Sequence, residues 1–195
     1  KNGSLKAKNC VEGRKQLIKF SEDNNIDFDI CGKIVVAVNQ QQVDQLIKLK
    51  DNGERNGLTG LKLLGSKEIK KIEPSVQALK ALWVPEAGII DYVQVANKLA
   101  DTVQSINDRS QIITDCIVHK CNDSNLVTSK GLFKAAHTIF CGGLFADRLA
   151  KRDKVSLDMQ IVGFRGDYYR LSQEAKHKVR NLIYPVPNPD FPFLG

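Results

Sequence analysis

The sequence predicts a mixed α/β fold in which helices and strands alternate irregularly, and three observations carry that prediction. Runs rich in β-branched residues, such as Ile30 to Val38, alternate with stretches whose apolar residues recur at helical spacing, such as Val43, Leu46, Ile47 and Leu49. Lys130-Gly131 sits between two short strand-like runs as a hairpin turn. A third apolar run, Ile139 to Cys141, stops at Gly142-Gly143 and gives way to a helical pattern through Leu144, Ala146 and Leu149. The interposed hairpin argues for an α+β layout over a cleanly doubly wound sheet.

Taken in order, Ser4 caps a first helix that carries Leu5, Cys10, Val11, Leu17 and Phe20 and ends near Asp23-Asn24-Asn25. Ile30 to Val38 is a strand, and the next helix closes at Gly53 and Gly57. Leu61 to Leu64 is a short strand, followed from Ser66 by a brief helix that Glu73-Pro74 stops. Ala81 to Val84 is a strand and Pro85 to Gly88 a turn. Asp91 caps a helix from Tyr92 to Val103, with Val93, Ala96, Leu99 and Val103 on one face. Gln111 to Val118 reads as a strand, and Asn125 to Ser129 and Leu132 to Ala136 form the hairpin. Met159 to Leu171 reads as a strand with glycine interruptions, and Ile183 to Pro192 as an extended, proline-rich exit.

Composition narrows the function classes. With 195 residues, 42% of them apolar and 26% charged, the chain can bury a core, and no tract is long enough to cross a bilayer. The net charge of +7 invites an anionic partner. Its lysines and arginines are scattered, and no zinc-finger spacing, aromatic RNA-binding signature or basic heptad accompanies them, which argues against nucleic acid. Five cysteines without regular spacing read as reduced and intracellular. Cys116, His119 and Cys121 lack a CxxC knuckle, and strand alternation separates Cys116 from His119, so no metal site is expected. Lys1 opens the sequence and Met159 is its one methionine, which reads as a piece of a longer protein.

The glycine pair admits two readings. Paired glycines at a helix start bring backbone N–H groups close to an anion or cofactor. They also serve an ordinary close-packed corner.

Five stretches decide the wider reading: GSLKA at Gly3 to Ala7, CGKIVVA at Cys31 to Ala37, VPEAGIIDY at Val84 to Tyr92, CGGLFADRL at Cys141 to Leu149 and FRGDYYRL at Phe164 to Leu171. A sixth, IYPVPNPDFPFLG, runs from Ile183 to Gly195. In this order they resemble the FAD-dependent oxidoreductases of the D-amino-acid oxidase superfamily and, within it, the branch that oxidises 2-hydroxy acids. The resemblance implies a partial FAD-binding Rossmann-like domain from residues 1–28 and 89–150, and a mixed-sheet substrate domain from 29–88 and 151–195. It also implies that the family's N-terminal GxGxxG fingerprint, its flavin-facing histidine and its last FAD-binding segment lie outside this sequence, leaving this piece inactive alone.

By the same resemblance, Val118, Cys141, Gly142 and Gly143 contact FAD, although Val118 also suits a plain strand interior, and the family more often has another small residue where Gly142 stands. The implied reaction oxidises a 2-hydroxy acid, L-2-hydroxyglutarate to 2-oxoglutarate, by hydride transfer to the flavin, with oxygen or a quinone as final acceptor. A carboxylate substrate calls for a bidentate arginine and phenolic donors. Arg165, Tyr168 and Tyr169 have those functions, and strand alternation admits only one of the tyrosines to the site. The competing role for Arg165 is a structural pair with Asp167 or a neighbour. His119, His137 and His177 read as structural or exposed, which leaves the general base outside the sequence; Lys6 either faces the cofactor or is solvated. Alternative activities are amine or glycerol-3-phosphate oxidation within the superfamily, or a non-catalytic anion-binding module. A cytoplasmic protein is expected, its basic surface permitting peripheral contact with the inner membrane. Exposed sheet edges and apolar surface predict self-association.

Overall fold

The structure, a computed structural model, describes residues 2–122 and 124–188. The chain divides into two compact units, Lys1–Ser105 with Leu171–Gly195, and Ile106–Arg170. These units follow compactness, and their boundaries differ from the division by function expected above.

The first unit opens with helix α1 (Leu5–Asn24), started by the Ser4 hydroxyl accepting from Ala7 N at 3.2 Å and ended by Asn25 in the left-handed region. Strand β1 (Phe28–Asp29) follows, then β2 (Lys33–Ala37), α2 (Gln40–Arg55), β3 (Lys62–Gly65), α3 (Ser66–Ile72), β4 (Lys80–Val84), β5 (Ile89–Ile90) and α4 (Tyr92–Ile106). Helix α2 starts on the Asn39 side chain, which accepts from Gln42 N, and α3 on Gly65 N donating to Glu68 Oε2 at 2.8 Å. Short β1 and β5 pair antiparallel as a separate ribbon.

The main sheet has the order β3-β4-β2-β9, where β9 (Leu182–Pro185) returns from the far end of the chain. Its β3–β4 and β4–β2 pairs are antiparallel, and β9 runs parallel to β2 with Lys33 opposite Leu182 and Val36 opposite Pro185. Lys33–Ala37, Lys62–Gly65 and Lys80–Val84 thus share one sheet with Leu182–Pro185. Pro185 sits on the edge strand, where its missing N–H breaks no ladder bond.

Alternation along the strands feeds two cores. Val35, Ala37, Leu82 and Val84 pack with Val43 and Leu46 of α2, while Ile34, Leu64 and Ala81 pack with Ile69 of α3. Gly32, just before β2, has φ +77°, and a Cβ there would collide with the Trp83 ring. Both facts require glycine.

Two polar locks tie the helices to the sheet. Asp91 Oδ1 caps α4 by accepting from Val93 N and Gln94 N, and Gln94 exchanges bonds with Asp27 through Nε2 and Oε1. Glu86, in the turn before β5, accepts from Thr59 N and Thr59 Oγ1 and pairs with Arg14 of α1. The two Thr59 bonds, then the Arg14 guanidinium, hold the Glu86 carboxyl below its ordinary value of 4.5. A lowered carboxylate contributes stability that is complete above the unfolded-state value and is lost as pH falls through the folded-state value. In Glu86→Gln the loss of stability below about pH 4.5 is therefore expected to be shallower, which urea titrations across that range measure.

The α4 helix departs from expectation in its facing. Val95 is its buried residue, whereas Val93, Leu99, Val103 and Ile106 are exposed.

The second unit holds an antiparallel meander, β6 (Val118–Asn122), β7 (Asn125–Thr128) and β8 (Gly131–Lys134), then a 3₁₀ turn at Gly143–Phe145 and helix α5 (Ala146–Arg152). No described residue of this unit is buried. Three expected strands are absent: 111–117, 137–141 and 159–171 have no regular structure. A strand needs ladder partners along its length for its N–H and C=O groups; in 111–117 only Ile117 is so engaged among the described residues, with Ser129. The expected extended exit is seen through residue 188; residues 189–195 of the sixth stretch lie outside the described residues.

Candidate functional site

In the second unit, the meander and α5 enclose a hollow of ≈ 350 Å³ lined by Val118, His119, Lys120, Cys121, Asn122, Phe140, Leu149, Arg152 and Asp153. Strand β6 supplies one wall through Val118, with a register shift between Val118 and Lys120 that leaves His119 outside regular pairing. Val118 is 40% exposed, so it is not the buried strand residue of the competing reading.

The other wall comes from Phe140, just before the glycine corner, and from Leu149, Arg152 and Asp153 in and after α5. The expected strand into this corner is replaced by irregular chain, and the 3₁₀ turn starts directly at Gly143, with Phe145 N donating to Gly142 O at 2.9 Å. Gly142 lies against Leu149, and a Cβ on it would collide with that side chain. Its bareness serves packing. Gly143 has φ +53° and open space where a Cβ would stand. It suits close approach by a ligand, and the left-handed backbone favours glycine. Cys141 is exposed. Asp147 in the first turn of α5 accepts from Ile161 N at 3.1 Å and from Arg148 N, and the Ile161 bond is the main reason its carboxyl lies below the ordinary range. This bond fastens the 159–170 segment to α5.

The expected substrate residues lie on that segment. Because it is irregular, the alternation that separated Tyr168 from Arg165 and Tyr169 does not operate. Tyr168 and Tyr169 are each 97% exposed. Arg165 Nε donates to Asp167 Oδ1 at 2.8 Å, the structural pairing that competed with a carboxylate clamp. No other hydrogen bond is shown for this guanidinium among the described residues. The structure therefore brings Val118 to a hollow shared with Leu149 and Arg152 of α5, leaves Cys141, Gly142 and Gly143 off its lining, and leaves Arg165, Tyr168 and Tyr169 in solvent. His119, His137 and His177 are all exposed. Among the described residues no group of His, Cys, Asp and Glu is placed to hold a metal.

The family described as FAD dependent oxidoreductase matches residues 1–195. The chain belongs to this family. Among curated relatives, the L-2-hydroxyglutarate dehydrogenase of Indibacter alkaliphilus is 43% identical over 198 residues, covering 100% of this chain and 50% of that protein. The human mitochondrial L-2-hydroxyglutarate dehydrogenase is 34% identical over 208 residues, covering 98% of this chain and 44% of its own length. The chain thus spans about half the length of the curated relatives it matches. Among solved structures, the FAD-bound L-α-glycerophosphate oxidase of Mycoplasma pneumoniae superposes with a TM-score of 0.72 at 23% identity, over 95% of this chain and 51% of its own. Glycine oxidase from Geobacillus kaustophilus gives 0.71 at 20% identity, over 80% and 45%. Both likenesses speak to the fold alone.

The hollow suits part of the family cofactor. Phe140, Val118 and Leu149 offer apolar surface for a ring, and Lys120 and Arg152 offer cations for phosphate; Gly143, with open space at its Cα, lies outside that lining. Its volume lies at the low end of the ~300–1,000 Å³ of small-molecule sites, so it matches a portion of a dinucleotide. Lys120, Phe140 and Arg152 went unnoticed in the sequence; the basic residue late in the helix after the glycine pair was the available signal. No helix among the described residues is long and apolar enough to cross a membrane.

Proposed function

We propose that this chain is part of an FAD-dependent 2-hydroxy acid dehydrogenase that oxidises L-2-hydroxyglutarate to 2-oxoglutarate. The observation that carries this reading is the match at 43% identity over the whole chain to a protein of that name. The hollow around Val118, with Gly143 on the adjoining corner, supports cofactor binding in the second unit.

When bound, FAD supplies the acceptor for the hydride that leaves the substrate Cα. The chain's own residues bind and orient. Val118 and Phe140 would hold the nucleotide portion, Lys120 and Arg152 would offset phosphate charge, and Cys141, Gly142 and Gly143 would offer backbone contacts from the neighbouring corner. Arg165 clamps a substrate carboxylate. Its pairing with Asp167 uses Nε and leaves both terminal NH₂ groups for a bidentate contact, so Asp167 acts to position the fork. Tyr168 or Tyr169 adds a phenolic donor. The base that takes the substrate hydroxyl proton is assigned outside this chain, because all three histidines here are solvent-exposed. The final acceptor is oxygen or a quinone. We place the protein in the cytoplasm, with the net charge of +7 providing peripheral contact with the inner membrane.

The deciding experiment uses the complete reading frame that contains this chain. Its flavin absorbance is expected to bleach anaerobically on adding L-2-hydroxyglutarate and to persist with the D-enantiomer. Bleaching by an amine or glycerol 3-phosphate alone would reassign the activity within the superfamily. Failure to take up flavin would favour an anion-binding module.

The exposed apolar residues of the second unit, including Ile139, Leu144 and Phe164, lead us to expect that the 195-residue chain self-associates. Sedimentation at rising concentration tests this; a strictly monomeric species would contradict it.

A further inference from the structure

In the first unit, a second hollow of ≈ 420 Å³ opens between α1, the β1–β5 ribbon and the end of the main sheet. Most of its wall is aliphatic or aromatic, including Leu17, Phe28, Ile30 and Ile89. Its ionised wall groups are Arg14, Lys33 and Glu86, which leaves one positive charge in excess.

That excess sits on Lys33. Its ammonium lies 5.0 Å from the centroid of the Tyr184 ring, and it joins no ion pair among the described residues. The parallel β2–β9 pairing brings these two residues together from distant parts of the sequence. Arg14 adds a second anomaly. Its two terminal nitrogens are committed to Glu86, through the backbone carbonyl and a carboxylate oxygen, while Nε is buried and has no partner. A buried N–H without an acceptor is rare in folded proteins and calls for a water or a ligand. Glu86 cannot serve it as a freely moving acceptor, because Thr59 holds its other oxygen through both N–H and hydroxyl.

We propose that this hollow binds a small organic monocarboxylate. An anionic head in the hollow meets the unpaired Lys33 charge and, on a turn of the Arg14 side chain that brings the now inaccessible Nε–H to the hollow, that orphaned donor as well, with the Tyr184 hydroxyl as a further donor. A short aliphatic body lies against the apolar wall. A single negative charge matches the single charge in excess, and a dianion leaves one charge uncompensated beside a largely apolar wall. The proposal stands independently of the flavin reading, since every residue in it belongs to the first unit.

Ile18, Ile30, Ile89 and Ile90 line the hollow and make isoleucine-methyl NMR a local probe. Titration with butyrate is expected to shift these methyls saturably. Glutarate is expected to bind about tenfold more weakly, and chloride at matched ionic strength to give no saturable shift. Lys33→Met keeps the aliphatic stem and removes the charge; Arg14→Lys keeps the pair with Glu86 and removes the Nε donor. Each is expected to raise the butyrate Kd about tenfold while the remaining methyl spectrum stays folded. A butyrate response no different from chloride overturns the site, since it would show Arg14 Nε served by water alone. Parent-like binding in both variants also overturns it. Glutarate binding as tightly as butyrate overturns the monoanion assignment.

Discussion

Replacing Glu73 with alanine is expected to cost about 3 kcal/mol of stability and to lower Tm by about 6–12 °C. Glu73 follows α3 and is fully buried, yet it joins no ion pair among the described residues. Its carboxylate is held by N–H donors from the segment just before β9, at the other end of the chain. Arg180 N donates at 3.0 and 3.2 Å to its two oxygens, Asn181 Nδ2 donates at 3.0 Å, and Asn181 N makes a shorter bond to Oε1. Alanine leaves two backbone N–H groups and an amide without an acceptor, and such groups cost more unsatisfied than their bonds contribute when made. Glu73→Gln retains the Oε1 acceptor and is expected to cost about half as much. Urea unfolding of both variants separates lost hydrogen bonds from lost volume. An alanine variant within about 0.5 kcal/mol of the parent would mean that water replaces the carboxylate at no cost.

Arg165→Met in the flavin-loaded, full-length protein is expected to lower kcat/KM about 10²-fold, the loss of two charge-assisted hydrogen bonds at about 1.5 kcal/mol each. Arg165→Lys keeps the charge without the planar fork and is expected to recover only part of that loss. Stability distinguishes this role from the structural one. The Arg165 side chain is 87% exposed, so removing its pair with Asp167 is expected to change unfolding free energy by less than about 0.5 kcal/mol. Unchanged kcat/KM would return Arg165 to surface pairing and leave the substrate carboxylate to another residue.

Much of the first unit was legible because its signals are local. Ser4 and Asn25 bracket α1, Asp91 starts α4, and Glu73-Pro74 stops α3, each through contacts within a few residues. The alternation in Lys33–Ala37 placed a strand where one exists. The strand readings at 111–117, 137–141 and 159–171 rested on the same β-branched composition, but composition does not supply a ladder partner. The glycine corner was recognisable, although one glycine serves Leu149 and the other an open left-handed turn, a division only packing reveals. The Arg165–Asp167 pair followed from spacing. The meeting of Lys33 with Tyr184, and of Glu73 with Arg180 and Asn181, did not, because each joins residues more than 100 positions apart. The exposed face of α4 was read from its apolar periodicity as a packing face, and periodicity alone does not name what lies against it.

The parallel pairing of β9 with β2 also sets a schedule for synthesis. Lys33 and its partner Leu182 are 149 residues apart (182 − 33), so β2 leaves the ribosome long before the strand that covers its open side exists. At translation rates of 5–20 residues per second the wait is about 7–30 s. For that time the nascent chain presents an unpaired β2 edge and a Glu73 carboxylate without its donors. Until then the nascent chain is a half-built sheet waiting for its closing strand.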